Sequence, residues 1–190
     1  MKQSHFGRYV LPFAQWYIFM IFTAIAFDYF LHRFQLVFVG RYLGFVGTVL
    51  IVISFLYSLR KRRLVKSGSP KKLLAMHEYL AWSGSILLLV HAGIHFNAIL
   101  PWLAVFMLLV NVASGLVGKF LLKDANEALV AKRKEMADSG LGISETDKIL
   151  FWDSIAVDMM KKWRVVHMPI SLLFVLFALL HIFTIIMYSK

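Results

Sequence analysis

The chain has 190 residues, no cysteine and a formal net charge of +11, and 60% of its residues are hydrophobic. Its mean hydropathy of +0.73 exceeds that of soluble domains and indicates a membrane protein. The lack of cysteine excludes Fe–S clusters, covalently attached c-type haem and disulfide bonds, and the placement of the basic residues in short loops beside apolar segments indicates membrane topology rather than nucleic-acid binding.

Five apolar segments are each long enough to cross a hydrocarbon core about 30 Å thick, which takes roughly 20 helical residues. They cover about residues 11–31, 37–59, 74–96, 99–121 and 165–188. We therefore predict an all-α membrane protein with five transmembrane helices, forming a single domain over residues 1–190. The first apolar run follows Lys2 and Arg8 as in a signal peptide, but it is too long for a signal core, so we expect a retained span.

The loop between the second and third segments is the most basic part of the chain. It carries seven cations and no acid within residues 60–72. By the positive-inside rule this loop is cytoplasmic. With five spans across the cell (inner or plasma) membrane, the N-terminus is then also cytoplasmic and the C-terminus lies on the opposite face. The third and fifth segments consequently run parallel.

The longest polar region, residues 119–164, is nearly neutral, with nine basic and eight acidic residues. Residues 124–138 predict a short charged helix that ends near Gly140. The Ser-Glu-Thr-Asp sequence at 144–147 resembles a capping box that opens a second helix with a broad apolar stripe. We expect this second helix to lie on the inner membrane surface before the fifth span, with the docking of a partner subunit as the alternative role of the region.

Four of the five histidines in the third and fifth segments form two equally spaced pairs. His77 and His91 are fourteen residues apart in the third segment, and His167 and His181 are fourteen apart in the fifth. Fourteen residues make close to four helical turns with a rise of roughly 21 Å, so each helix presents two imidazoles on one face at two depths. Ionisable side chains inside a span are costly and usually functional. On parallel helices His77 shares its depth with His167, and His91 shares its depth with His181.

Two such pairs fit the axial ligands of two b-type haems held without covalent attachment. Two axial histidines leave the iron no open position, so a haem of this kind transfers electrons rather than activating a small molecule. The residues also leave three alternatives open, which are another metal ion held by histidine, a proton or ion relay in a transporter, and a coincidental spacing of the histidines.

Small and polar residues near the four histidines are further candidates. Gly84 lies midway between His77 and His91, where it either admits a haem close to the backbone or allows a neighbouring helix to pack closely. His95, one turn beyond His91, competes with it as a ligand or meets a haem propionate or a quinone headgroup, although the equal spacing favours His91. The same two interpretations, close helix packing or space for a flat ligand, apply to Gly40, Gly44, Gly47, Gly115 and Gly118, and to Ser114.

Cations near the two ends of the histidine helices are candidate partners for haem propionates, or else they are solvated loop residues. Glu78, next to His77, either exchanges protons during quinone chemistry or forms hydrogen bonds at the membrane interface. The candidate cations are Arg164, Lys71 and Lys72 on the inner side, and Arg33, Arg41 and His32 on the outer side.

The double His-x13-His arrangement on two parallel spans resembles the di-haem core of cytochrome b from quinol:cytochrome c oxidoreductases. Its position on the third and fifth spans looks more like the ferric-reductase-like transmembrane domain, which metalloreductases, NADPH oxidases and related bacterial cytochromes share. The resemblance covers about residues 74–188 and rests on the four histidines. It implies axial pairs of His77 with His167 and of His91 with His181.

The sequence contains neither the Pro-Glu-Trp-Tyr quinol-oxidation motif of cytochrome b nor a Gly-rich dinucleotide fingerprint. We therefore expect this chain to receive electrons from elsewhere. The expected function is that of a membrane subunit of a respiratory or redox complex, which relays electrons between quinone or a cytoplasmic donor subunit and a partner on the opposite face. The alternatives are a terminal reductase of ferric chelate or oxygen, and the transporter described above.

Overall fold

The computed structural model describes residues 11–64, 66–94 and 98–188, and within these ranges all regular structure is helical. The α-helices are α1 (Leu11–Arg33), α2 (Val37–Ser54), α3 (Leu56–Lys61), α4 (Pro70–Ile94), α5 (Ile99–Leu116), α6 (Lys123–Asp138), α7 (Ile143–Ile149) and α8 (Phe151–Tyr188), and a π-helical segment, Val117–Leu122, joins α5 to α6.

Five helical stretches are long and apolar enough to cross a membrane: Leu11–Arg33, Val37–Lys61, Pro70–Gly93, Ile99–Asp138 and Phe151–Tyr188. Many large apolar side chains on these stretches are exposed, among them Phe22 and Phe45 at about two-thirds of their surface. In water such surfaces would be unfavourable, whereas in lipid they are the expected exterior. For the described part of the chain, the prediction of an all-α protein with five helices long and apolar enough to span a membrane is thus confirmed.

Local backbone chemistry explains where several helices begin and end. The chain leaves α1 through Gln35 and leaves α3 through Arg63, both with left-handed backbone angles (φ +58° and +61°). Pro70 occupies the first position of α4, where its missing N–H has no helical partner to lose. After α6 the chain turns at Gly140, whose φ of +81° favours a residue without a side chain. The predicted end of the charged helix near Gly140 is confirmed.

The region before the fifth span differs from the prediction in two ways. The short α7 begins after Gly142, without a side-chain capping bond, so the predicted capping box does not form. From Phe151 onward the chain belongs to the same helix as the fifth span, so the predicted interfacial helix is not a separate element. The physical reason is that no glycine or proline interrupts residues 151–168, and α8 also accommodates Pro169 internally.

The described residues fold as two compact units. The first unit contains the residues up to Tyr17 and Ala113–Ile170, and the second contains Ile18–Val112 and the residues from Ser171 onward. Ion pairs join the helices of the first unit, including the one between the partly buried Lys132 and Asp153 at 2.5 Å. The second unit has an apolar core in which Ile51 of α2, Leu108 of α5 and Phe174 of α8 are buried.

Candidate functional site

The imidazoles of His91 on α4 and His181 on α8 lie close together within the second unit. Their ring centroids are 6.4 Å apart and their planes are inclined by 55°. Two imidazoles that bind one metal from opposite sides, with metal–nitrogen bonds of about 2.0 Å, have centroids about 6.3 Å apart. An inclination of 55° between the two planes is allowed for such ligands, because each ring can rotate about its own metal–nitrogen bond. The separation of His91 and His181 therefore fits two axial ligands of one metal.

The backbone of α2 orients His91. The Nδ1–H of His91 donates to the carbonyl oxygen of Gly40, at 3.0 Å. Because a carbonyl oxygen only accepts, Nδ1 carries the proton and the neutral ring has its lone pair on Nε2. Metal-bound histidines typically donate their second ring N–H in this way, which determines the tautomer and the orientation of the ring.

Gly44 provides the space in which the His91 ring lies. A Cβ atom added at Gly44 would be 2.8 Å from both Cγ and Nδ1 of the imidazole, well inside van der Waals contact. Gly44 is buried on α2, one helical turn beyond Gly40. The small residue at this position is therefore required by the position of an imidazole, in addition to helix packing.

The C-terminal end of α2 orients His77. Its Nδ1–H donates to the carbonyl oxygen of Ser54 at 3.0 Å, at the point where α2 ends. The Tyr57 ring packs beside the imidazole with a centroid separation of 5.6 Å. Gly40 and Ser54 are fourteen residues apart on α2, and His91 and His77 are fourteen residues apart on α4. The antiparallel pair thus repeats the same imidazole–carbonyl bond at two levels.

His167 lies in the first unit and has a different kind of partner. Its Nδ1 is 2.5 Å from the hydroxyl oxygen of Ser114 on α5, and Ser114 is only 1% exposed. A Cβ atom at Gly115 would meet Cε1 of the His167 ring at an ordinary contact distance of 3.7 Å. His77 belongs to the second unit, so the pairing of His77 with His167 stays a prediction.

The glycine at the middle of α4 packs against α2. A Cβ atom at Gly84 would be 3.1 Å from the carbonyl oxygen of Gly47, and one at Gly47 would be 3.0 Å from the carbonyl oxygen of Gly84. The two backbones therefore cross in close contact, as small residues allow in membrane helices. The close-packing interpretation of Gly47 and Gly84 is confirmed, and contact of Gly84 with a cofactor stays a prediction.

Two polar features within the spans were not singled out from the sequence. Ser171 donates a hydrogen bond to the Asn111 side-chain carbonyl at 2.8 Å. One carboxylate oxygen of Asp28 is buried without a hydrogen-bond partner among the described residues, 3.5 Å from Nδ1 of His32. The signal for both was available, since a lone Asn or Asp in an apolar stretch is costly unless it has a role.

The remaining candidates are less informative. His95 lies outside the described residues, and Arg164 lies on α8 with its side chain outside them. Glu78 is partly buried on α4. Arg33 at the end of α1, Arg41 on α2, and Lys71 and Lys72 at the start of α4 are all exposed, and none has an anionic partner among the described residues.

The described part of the chain contains no group of three or more His, Cys, Asp or Glu side chains arranged to hold a metal ion. A bare ion such as zinc generally takes three or four protein ligands. A haem iron receives four nitrogens from its macrocycle and needs only two axial side chains. The His91–His181 pair supplies two imidazoles. Comparisons of the chain with protein-family models, with curated proteins and with solved structures found no match.

Proposed function

We propose that this protein is the electron-transferring membrane subunit of a redox complex and that its histidines hold two b-type haems. The observation that carries the proposal is the His91–His181 pair, whose 6.4 Å centroid separation fits axial ligation of one iron. The Nδ1 bond from His91 to the backbone supports it, because the bond leaves Nε2 as the basic nitrogen of the neutral ring. A bound haem would supply an iron that gains and loses one electron.

The protein's own residues hold and orient the ligands. His91 and His181 would bind one haem, and His77 and His167 would bind the other. The carbonyl oxygens of Gly40 and Ser54 hold the rings of His91 and His77 in a tautomer suited to metal binding. A haem held by two histidines would have no open coordination position for oxygen or a similar small molecule.

The two ligand positions on α4 extend across the membrane. His77 and His91 are separated by roughly 21 Å along the helix axis, which is most of a hydrocarbon core about 30 Å thick. The apolar surroundings disfavour the crossing of a free charge, and haems held at the two depths would supply a route for an electron. In the proposed topology the basic residues 60–72 and the N-terminus are cytoplasmic, and electrons are exchanged with quinone or with partner redox subunits.

The first experiment is spectroscopic. The full chain, purified in detergent from cells that make haem, is expected to show a b-type difference spectrum on reduction and two haems per chain. The variant His181→Ala should lose one haem and keep the other. The control is Phe183→Ala on the same helix, where the side chain is 61% exposed and both haems should remain.

A wild-type protein without a b-type spectrum would contradict the proposal. Retention of both haems in His181→Ala would contradict the assignment of His181 as a ligand. Added imidazole is expected to restore the missing haem of this variant, since it can occupy the position that the side chain has left. Restoration would separate a lost ligand from a general loss of folding.

A further inference from the structure

Three candidate ligands have their Nδ1 atoms bonded by a neighbouring helix, but the bonded oxygens are of two kinds. His77 and His91 each meet a backbone carbonyl, whereas His167 meets the hydroxyl of Ser114. A carbonyl oxygen can only accept a hydrogen bond, while a hydroxyl can either donate or accept. The state of His167 therefore depends on a side chain, unlike the states of the other two.

The direction of this hydrogen bond decides whether His167 can bind a metal. If Ser114 donates to Nδ1, the ring proton lies on Nε2, which then has no lone pair for a metal. If Ser114 accepts from Nδ1–H, the Nε2 lone pair is available. A helical serine can give its own proton to the carbonyl four residues earlier, as Ser85 does in this protein towards Ala81 at 2.6 Å. Accepting from His167 is therefore compatible with the chemistry of a helical serine.

We infer that Ser114 is a positioning residue for His167 that holds Nε2 in its metal-binding form and tunes the reduction potential of the haem that His167 binds. This inference rests on the proposed function. Ser114 is 1% exposed, so no bulk water replaces its oxygen if the side chain is removed. Hydrogen bonding at the second ring nitrogen makes an imidazole a stronger electron donor, which stabilises the oxidised iron.

The backbone carbonyls near His77 and His91 cannot be deleted by substitution, but the Ser114 hydroxyl can. Loss of this acceptor in Ser114→Ala weakens electron donation by His167 and should raise the midpoint potential of one haem. The second haem, which His91 and His181 bind in the proposed function, should keep its potential. Ser114→Thr retains the hydroxyl and should restore the wild-type value.

The test is a redox titration of the full chain with both haems bound, followed by optical and electron paramagnetic resonance spectra. Ser85→Ala is the matched control, because Ser85 is equally buried and its hydroxyl bonds a backbone carbonyl instead of an imidazole. An upward shift of one potential in Ser114→Ala only, reversed in Ser114→Thr, supports the inference.

Each other outcome is also decisive. If Ser114→Ala releases one haem, retention of that haem in Ser114→Thr supports the inference and its loss there overturns it. If the wild-type chain binds two haems and neither midpoint potential changes in Ser114→Ala, the inference is overturned and the proposed function stays intact. A wild-type chain that binds no haem overturns the proposed function, and this inference with it.

Discussion

Replacing Gly44 by alanine tests the contact between α2 and the His91 ring. The new Cβ atom would lie 2.8 Å from both Cγ and Nδ1 of His91, whereas ordinary contacts begin at 3.4 Å. Both α2 and the ring are constrained, the ring by its 3.0 Å bond to Gly40. The substitution therefore adds one methyl group at the place where the structure has least room for it.

The displacement can be estimated from these distances. The imidazole must move by about 0.6 Å, which exceeds the tolerance of about 0.2 Å in metal–ligand distances. Overpacking of this kind costs about 1–3 kcal/mol. The higher helix propensity of alanine returns up to about 1 kcal/mol. The net effect on folding is therefore small to moderate, while the effect on the His91–His181 site is large.

Under the proposed function, we expect Gly44→Ala to fold and to bind one haem per chain instead of two. The measurement is the haem content per chain, from the reduced-minus-oxidised spectrum and from extracted haem. Gly118→Ala is the matched control, since Gly118 is also helical and a Cβ atom there would meet nothing within 4 Å. Two haems with an unchanged spectrum in Gly44→Ala would refute the argument that Gly44 is needed for the position of His91.

Two further predictions concern stability. Gly140→Ala should lower the free energy of unfolding by about 1 kcal/mol, because its φ of +81° is unfavourable for a residue with a side chain. The control Gly142→Ala, at φ −62°, should lower it less. Equal effects of the two substitutions in denaturant titrations would contradict the argument from backbone angles. Ser171→Ala removes the hydrogen bond to Asn111 and should cost about 0.6 kcal/mol, with about 1.7 kcal/mol as an upper bound. Both haems should remain in Ser171→Ala, and a loss of haem would show that the Asn111–Ser171 bond does more than join two helices.

Much of the fold follows from local properties of the sequence. Apolar runs of about 20 residues are sufficient to predict five spans, because lipid requires every backbone polar group to be satisfied within a helix. Gly140 predicts the end of α6, because glycine adopts a left-handed backbone conformation with less strain than any residue that has a side chain. The start of α8 could not be predicted from such local signals. The polar composition of residues 151–164 resembles that of a surface helix, and composition does not show whether a helix continues into the next span.

Some features of the candidate site could also be predicted from the sequence, and others could not. The fourteen-residue spacing in α4 and α8 predicts imidazoles at two depths, because helical rise is the same in every helix. The sequence could not predict which oxygen meets each Nδ1, since Gly40 and Ser54 act through backbone atoms that every residue type carries. Ser114 and Gly44 were visible as small residues, but their roles depend on which imidazole lies against them.

The sequence by itself therefore determined the helical class, the five spans and the four histidines, since these depend on hydropathy, periodicity and residue type within single helices. Only the tertiary structure decided that His91 and His181 lie 6.4 Å apart and that α2 and α5 supply the Nδ1 partners. The physical reason is that these distances depend on how closely neighbouring helices approach. That approach is set by contacts such as Gly47 with Gly84, which join residues far apart in the chain.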